Sequence, residues 1–168
     1  MDKVTIDRIQ LLHPKLREEA GQIYHEICDA LKGKAFCRFA YTLRSFAEQD
    51  ALYAQGRSKP GKIVTKAKGG QSYHNYGLAI DIVLVADLDG NGSYESASWD
   101  THKDFDGDGQ ADWMEVVAIF KRYGWEWGGD WKFNDDPHFQ KTFGHSIADL
   151  QKLHELQLVR KNGGYLNL

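Results

Sequence analysis

Cysteine is scarce: the 168 residues hold only two, Cys28 and Cys37. Neither stands in a CxxC pair or a Cys/His cluster, so no zinc-finger pattern is present. Two reduced, partly buried thiols are expected, with a single disulfide as the alternative. Long apolar runs are missing as well, and no stretch approaches the ~18 apolar residues of a membrane span. The opening MDKVTIDRIQLLHP interleaves acidic and basic residues without an apolar h-region, so no Sec-type signal is visible. The chain is therefore expected to stay in the cytoplasm unless something else delivers it. Positive charge is not in excess either: 21 Lys and Arg against 24 Asp and Glu leave a formal charge of −3. A nucleic-acid reader normally carries a basic patch, so that class is not supported.

No repeat and no Pro- or Ser-rich tether divides the chain. One globular domain over residues 1–168 is expected, a monomer, with an acidic, glycine-rich insertion at about 86–110. A hydrophobic share of 42% against 27% charged residues permits a packed core and argues against disorder. Apolar residues at three- and four-residue steps, from Leu16 through Ala20, Ile23 and Ile27 to Leu31, predict a helix over 14–31, stopped by Gly33. The run AFCRFAYTL at 35–43 reads as a strand. A helix over 45–55 opens on Ser45 with Glu48 three residues on, a capping box. After a Gly- and Lys-rich loop, LAIDIVLV at 78–85 reads as a buried strand. A helix at 111–123, a strand–loop–strand within 125–140 and an amphipathic helix at 146–159 follow, the last with Leu150, Leu153, Leu156 and Leu158 apolar. The pattern is α+β, a small antiparallel sheet with packed helices.

Within the strand LAIDIVLV, Asp81 is costly to bury unless it is paired or metal-bound. His74 lies just upstream, and Gly77 between them tolerates the positive φ of a sharp bend. Ala79 shares the Asp81 face and leaves room beside it. A catalytic zinc takes three protein ligands and keeps one position open. His138, presented after Pro137 in DDPHF, is the best third ligand. The other histidines lack such a setting: His25 and His154 are expected to face solvent, and His145 to cap or pack. Among the aromatics, Trp125 is expected in the core, while Trp127 and Trp131 are open between core and a substrate groove.

The order SxHxxGxAxD, then a carboxylate and a PH pair, resembles the M15 family of zinc peptidases, which unites D-Ala-D-Ala carboxypeptidases with L-alanyl-D-glutamate endopeptidases. The segments LRSFAEQDALYAQGR (43–57) and WGGDW…DDPHF (127–139) are similar to its phage endolysin and cell-wall hydrolase branch, and the resemblance spans about residues 11–139. It implies a Hedgehog or D-Ala-D-Ala peptidase-like fold, with Zn2+ on His74, Asp81 and His138. It implies Asp135 as catalytic acid/base, with Asp136 and Asp130 as neighbouring carboxylates, Asp136 the alternative for that role. Arg44 would hold a substrate carboxylate or carbonyl oxygen. Ser72 would touch substrate, or simply form the turn. The implied substrate is the stem peptide of bacterial peptidoglycan, cut at L-Ala–D-Glu by a lysin held in the cytoplasm until release to the cell wall. Removal of terminal D-Ala is one alternative, and a non-catalytic zinc- and calcium-binding interaction module another.

A second metal pattern lies in the insertion. Asp104, Asp106, Asp108, Gly109, Gln110 and Glu115 fit D-x-D-x-D-G-x5-E. Several oxygens, a glycine at the sharp turn and a closing bidentate Glu suit Ca2+. The segment before Asp104 is too short for the entering helix of a complete EF-hand, so a solvated acidic loop is the competing reading. Asp87, Asp89 and Asn91 repeat the opening of the pattern without its closing Glu. Calcium at Asp104–Glu115 would stiffen the insertion.

Overall fold

The computed structural model describes residues 1–157 and 164–168. Helix α1 (Lys3–Ile9) leads into α2 (Pro14–Ala30), then strand β1 (Ala35–Tyr41) and helix α3 (Phe46–Ala54). A long polar stretch ends in a 3-10 turn (Tyr73–Tyr76), followed by β2 (Ala79–Ala86), β3 (Ser96–Ser98), α4 (Asp112–Arg122), β4 (Glu126–Trp127), β5 (His138–Gln140) and α5 (Ile147–Gln157). All strand pairings are antiparallel, in the order β1-β2-β5-β4. β5 takes the first half of one β2 edge and β3 the last three residues of that same edge. The α+β expectation is met.

Local chemistry explains the element ends. Pro14 opens α2, where its missing N–H costs nothing. Ser45 and Glu48 close the expected capping box on α3. Along β2 the side chains alternate: Ile80, Ile82 and Leu84 are fully buried on one face, and Asp81 lies on the other. The first face meets α2 through Ile23 and Ile27 and α4 through Val116 and Phe120. The Phe120 ring stacks on Phe139 of β5 at 4.2 Å. Each such fully buried side chain contributes about 1.5–3 kcal/mol, so this layer holds the sheet and leaves its opposite face for chemistry.

The sequence reading missed two elements. α1 buries only Thr5 and Ile9, too few for a helical period, and is anchored by the Asp2–Arg38 ion pair at 2.9 Å. β3 breaks the loop expected over the insertion; its Ser-Ala-Ser pairs with β2 through the backbone. Cys28 and Cys37 are free thiols, as expected. The expected last helix reaches Gln157, and Leu158 and Val159 lie outside the described residues. No helix among the described residues is long and apolar enough to cross a membrane.

Candidate metal centre

Two connections bring the three expected ligands together. Ser72 caps the 3-10 turn, its Oγ accepting from the His74 N–H at 3.4 Å, while Asn75 Oδ1 accepts from the Ser72 N–H at 3.2 Å. Gly77 ends the turn at φ 69°, the left-handed region that glycine enters freely. A Cβ there would lie 2.7 Å from the His13 backbone nitrogen, so only glycine lets the chain pass α2 this closely. That bend returns His74 over the start of β2. On the other side, register does the work: Asp81 pairs directly with His138 of β5. His74 is 2% and His138 8% exposed, so the centre sits at the floor of its face.

Hydrogen bonds fix which nitrogen of each imidazole faces inward. His74 Nδ1 lies 2.7 Å from the Thr42 carbonyl oxygen, which can only accept, so Nδ1 carries the proton. Its Nε2, 3.0 Å from Asp81 Oδ1, is then the lone-pair atom. Gln140 donates its amide to Glu126 Oε2 at 2.9 Å, so its Oε1 faces His138 Nε2 at 3.1 Å and Nε2 is the donor there. His138 Nδ1, 3.1 Å from the same Asp81 oxygen, is the second lone pair. With both imidazoles neutral, three lone-pair atoms therefore converge on one point, an arrangement suited to a cation. These atoms lie within 4.8 Å of one another. Ligands on a tetrahedral zinc are spaced by about 3.3 Å, so the observed separations of 3.0 and 3.1 Å suit that ion. Thr42 and Gln140 act as outer partners that fix ring orientation.

The electrostatics follow. Burial alone would raise the Asp81 carboxyl, but His138 and His74 hold it well below the usual carboxylate range. Burial works against a proton on His138, and the Asp81 carboxylate outweighs it, so that imidazole is raised. Arg44 Nη2 stands 3.6 Å from Asp81 Oδ2, Nη1 donates to Gln49 Oε1 at 3.0 Å, and the guanidinium lies 4.7 Å from the centre of the Tyr41 ring. Its Nε is buried with no hydrogen-bond partner, a donor held beside the centre and unused. Asp135 is exposed as a residue, yet the surroundings of its carboxyl are crowded enough to raise its pKa; Asp81 and Asp136 add to that, against His138 and His74. Its carbonyl accepts from the His138 N–H at 3.0 Å, and its own N–H donates to Gly128 O at 3.1 Å. A Cβ on Gly128 would lie 2.3 Å from that Asp135 carbonyl, so the double glycine of WGGDW lets the loop close. The Trp131 ring sits 5.3 Å from the His138 ring.

Expected site residues thus fall in two places. His74, Asp81, His138, Arg44 and Asp135 gather at one centre. Asp104, Asp106, Asp108, Gln110 and Glu115 form a separate acidic turn at the start of α4. In that turn Glu115 is pushed up to about 7 by burial and by Asp108, Asp106 and Asp112. Ser72 caps the turn that carries His74. His154, expected to face solvent, instead packs its ring 4.8 Å from Phe46. Trp125 is buried in the core as expected. Thr42, Gln140 and Glu126 were missed. A signal for Gln140 existed, since residues two apart on a strand share a face, as His138 and Gln140 do.

A family profile described as D-alanyl-D-alanine carboxypeptidase matches residues 65–141, a span holding His74, Asp81, Asp135 and His138. The chain is 48% identical over 135 residues to the peptidoglycan L-alanyl-D-glutamate endopeptidase CwlK of Bacillus subtilis, covering 77% of this chain and 72% of that protein. The crystal structure of the Serratia marcescens L-Ala D-Glu endopeptidase ChiX shares the fold, with a TM-score of 0.54 over 85% of this chain and 90% of that one, at 21% identity. Peptidases of this family are zinc-dependent. On its sequence, the chain belongs to the M15 peptidase family.

Proposed function

We propose that this chain is a zinc-dependent peptidoglycan peptidase that hydrolyses the L-Ala–D-Glu bond of the stem peptide. The observation that carries the metal is the convergence of His74 Nε2, Asp81 Oδ1 and His138 Nδ1, with the far nitrogen of each ring held by Thr42 or Gln140. The bond is taken from the similarity to CwlK. When bound, zinc supplies polarisation of the scissile carbonyl and a water acidified toward a pKa of ~7.

The chain's own groups do the rest. Asp135, whose carboxyl is raised above its ordinary value by burial, accepts the proton of the attacking water and passes it to the leaving amine. Arg44, held by Gln49 and Tyr41, presents its guanidinium to a substrate carboxylate or carbonyl oxygen, which fits a peptide that carries D-Glu. Thr42 and Gln140 keep the two imidazoles in the tautomers that ligation needs. Trp131 sets its ring against that of His138 on one side of the centre.

The test is digestion of purified muropeptides with and without a chelator, with products identified by mass spectrometry. Release of L-Ala-terminated glycan and of peptides beginning with D-Glu is expected. Loss of terminal D-Ala alone would replace the bond assignment with the carboxypeptidase reading. Absence of any chelator-sensitive cleavage would overturn both.

A further inference from the structure

The acidic turn before α4 serves no step of that chemistry, and three of its buried carboxylate oxygens have no hydrogen-bond partner. Asp104, Asp106 and Asp108 offer ligand atoms within 4.8 Å of one another. The Asp106 side chain is only 2% exposed, and its Oδ2 has no hydrogen-bond partner; the nearest cation, the Lys32 ammonium, stands 3.7 Å away. Asp112 is fully buried, and its Oδ2 is likewise without a partner, although Oδ1 accepts from the Phe105 N–H at 2.9 Å. Glu115 adds a third such oxygen, Oε2. Among the described residues only two other buried side-chain atoms, on Arg44 and Trp113, are so placed. Three orphaned carboxylate oxygens from one twelve-residue loop is therefore not a general feature of this fold.

Their spacing is that of an oxygen cage. Counting Asp104 as the first position, Asp106, Asp108, Asp112 and Glu115 fall at the third, fifth, ninth and twelfth. Gln110, at the seventh, is placed to offer its carbonyl. Gly109, at the sixth, has φ 92°, and its N–H donates to Asp104 Oδ2 at 2.9 Å, which turns the loop back over itself. We infer that Asp104–Glu115 is a calcium site, with Asp104, Asp106, Asp108 and Glu115 as principal carboxylate ligands and Asp112 bound directly or through water. Calcium takes six to eight oxygens in a flexible shell, whereas magnesium demands a rigid octahedron and keeps its waters. Five carboxylates on one loop suit the former. Lys32, at φ 44° in the turn after α2, donates to Asp108 Oδ2 at 2.9 Å and stands in for the ion. Binding would displace that ammonium and fasten the insertion to the first turn of α4, whose Trp113 and Val116 are buried in the core. The second acidic turn differs. The Asp87 carboxylate there is satisfied by the N–H groups of Gly90, Asn91 and Gly92, and no orphaned oxygen is found among its described residues.

The zinc-loaded full chain, freed of calcium, should be titrated with CaCl2 and separately with MgCl2 by calorimetry and thermal unfolding. One calcium per chain is expected, with a Tm rise of roughly 5–10 °C at about 100-fold excess over Kd, and little response to magnesium. Glu115→Gln should weaken binding at least about tenfold while zinc content stays the same. Lys32→Ala, a surface change that cannot endanger the core, should tighten binding several-fold by removing the competing ammonium. Failure of the wild-type chain to bind calcium saturably would overturn the inference. So would binding that is indifferent to Lys32→Ala, since the ion would then lie elsewhere.

Discussion

Replacing Gly77 with alanine tests how the turn delivers His74. The backbone there has φ 69° and ψ 27°, which costs an alanine about 1–2 kcal/mol relative to the right-handed region. The new Cβ would lie 2.7 Å from the His13 nitrogen and 3.2 Å from the Leu12 carbonyl carbon, both backbone atoms at the start of α2. Relief requires α2 and the turn to separate, which weakens the His13 N–H to Gly77 O bond of 2.9 Å, worth about 1 kcal/mol net. The sum is about 2–3 kcal/mol, or a fall in Tm of roughly 4–12 °C for a chain of this size. Gly21→Ala is the control. Gly21 lies inside α2 with nothing within 4 Å of its would-be Cβ, so alanine should stabilise it by about 0.5–1 kcal/mol. Urea and thermal unfolding of both variants, with zinc affinity measured by chelator competition, give the comparison. Gly77→Ala should lose stability and zinc affinity together. A variant as stable as wild type, with unchanged zinc affinity, would refute the described turn.

Three further outcomes are expected. Gln140→Leu removes the acceptor for His138 Nε2–H, and zinc Kd should rise about 10–100-fold in chelator competition; an unchanged Kd would dismiss Gln140 as a positioning residue. Asp135→Asn should cut kcat about 10²–10⁴-fold with zinc content unaltered. In the wild type the acid limb of kcat/KM should lie above the ordinary Asp value of ~3.9, because the raised carboxyl must lose its proton to act as base; full activity of the variant would move the role to Asp136. His13, buried against the Leu166 carbonyl at 2.8 Å, has its pKa lowered by that burial. The unfolded chain then binds the proton more readily, so the stability His13 supports is complete above about pH 6.5 and falls as pH drops below it. His13→Gln should flatten that part of the urea-denaturation profile.

The metal centre was legible because each ligand broke a local rule. A carboxylate inside LAIDIVLV, a glycine between it and a histidine, and a histidine after proline are all anomalies that a sequence exposes. Helices α2, α3 and α4 were legible through period and caps. What stayed hidden depends on pairing across the chain. Thr42 contributes only a carbonyl, which no side-chain pattern marks. Gln140 and Glu126 meet because β4 and β5 pair at 126 and 140, and register cannot be read before the partner strand is known. β3 has no hydrophobic alternation, and α1 too few buried positions to show a helical period.

The most direct measurement is a crystal structure of the purified protein with anomalous data collected on both sides of the zinc absorption edge. One zinc peak is expected between His74 Nε2, Asp81 Oδ1 and His138 Nδ1, at about 2.0–2.2 Å from each, with Thr42 and Gln140 still bonded to the far ring nitrogens. A peak elsewhere, or zinc held through His74 Nδ1, would contradict the centre described.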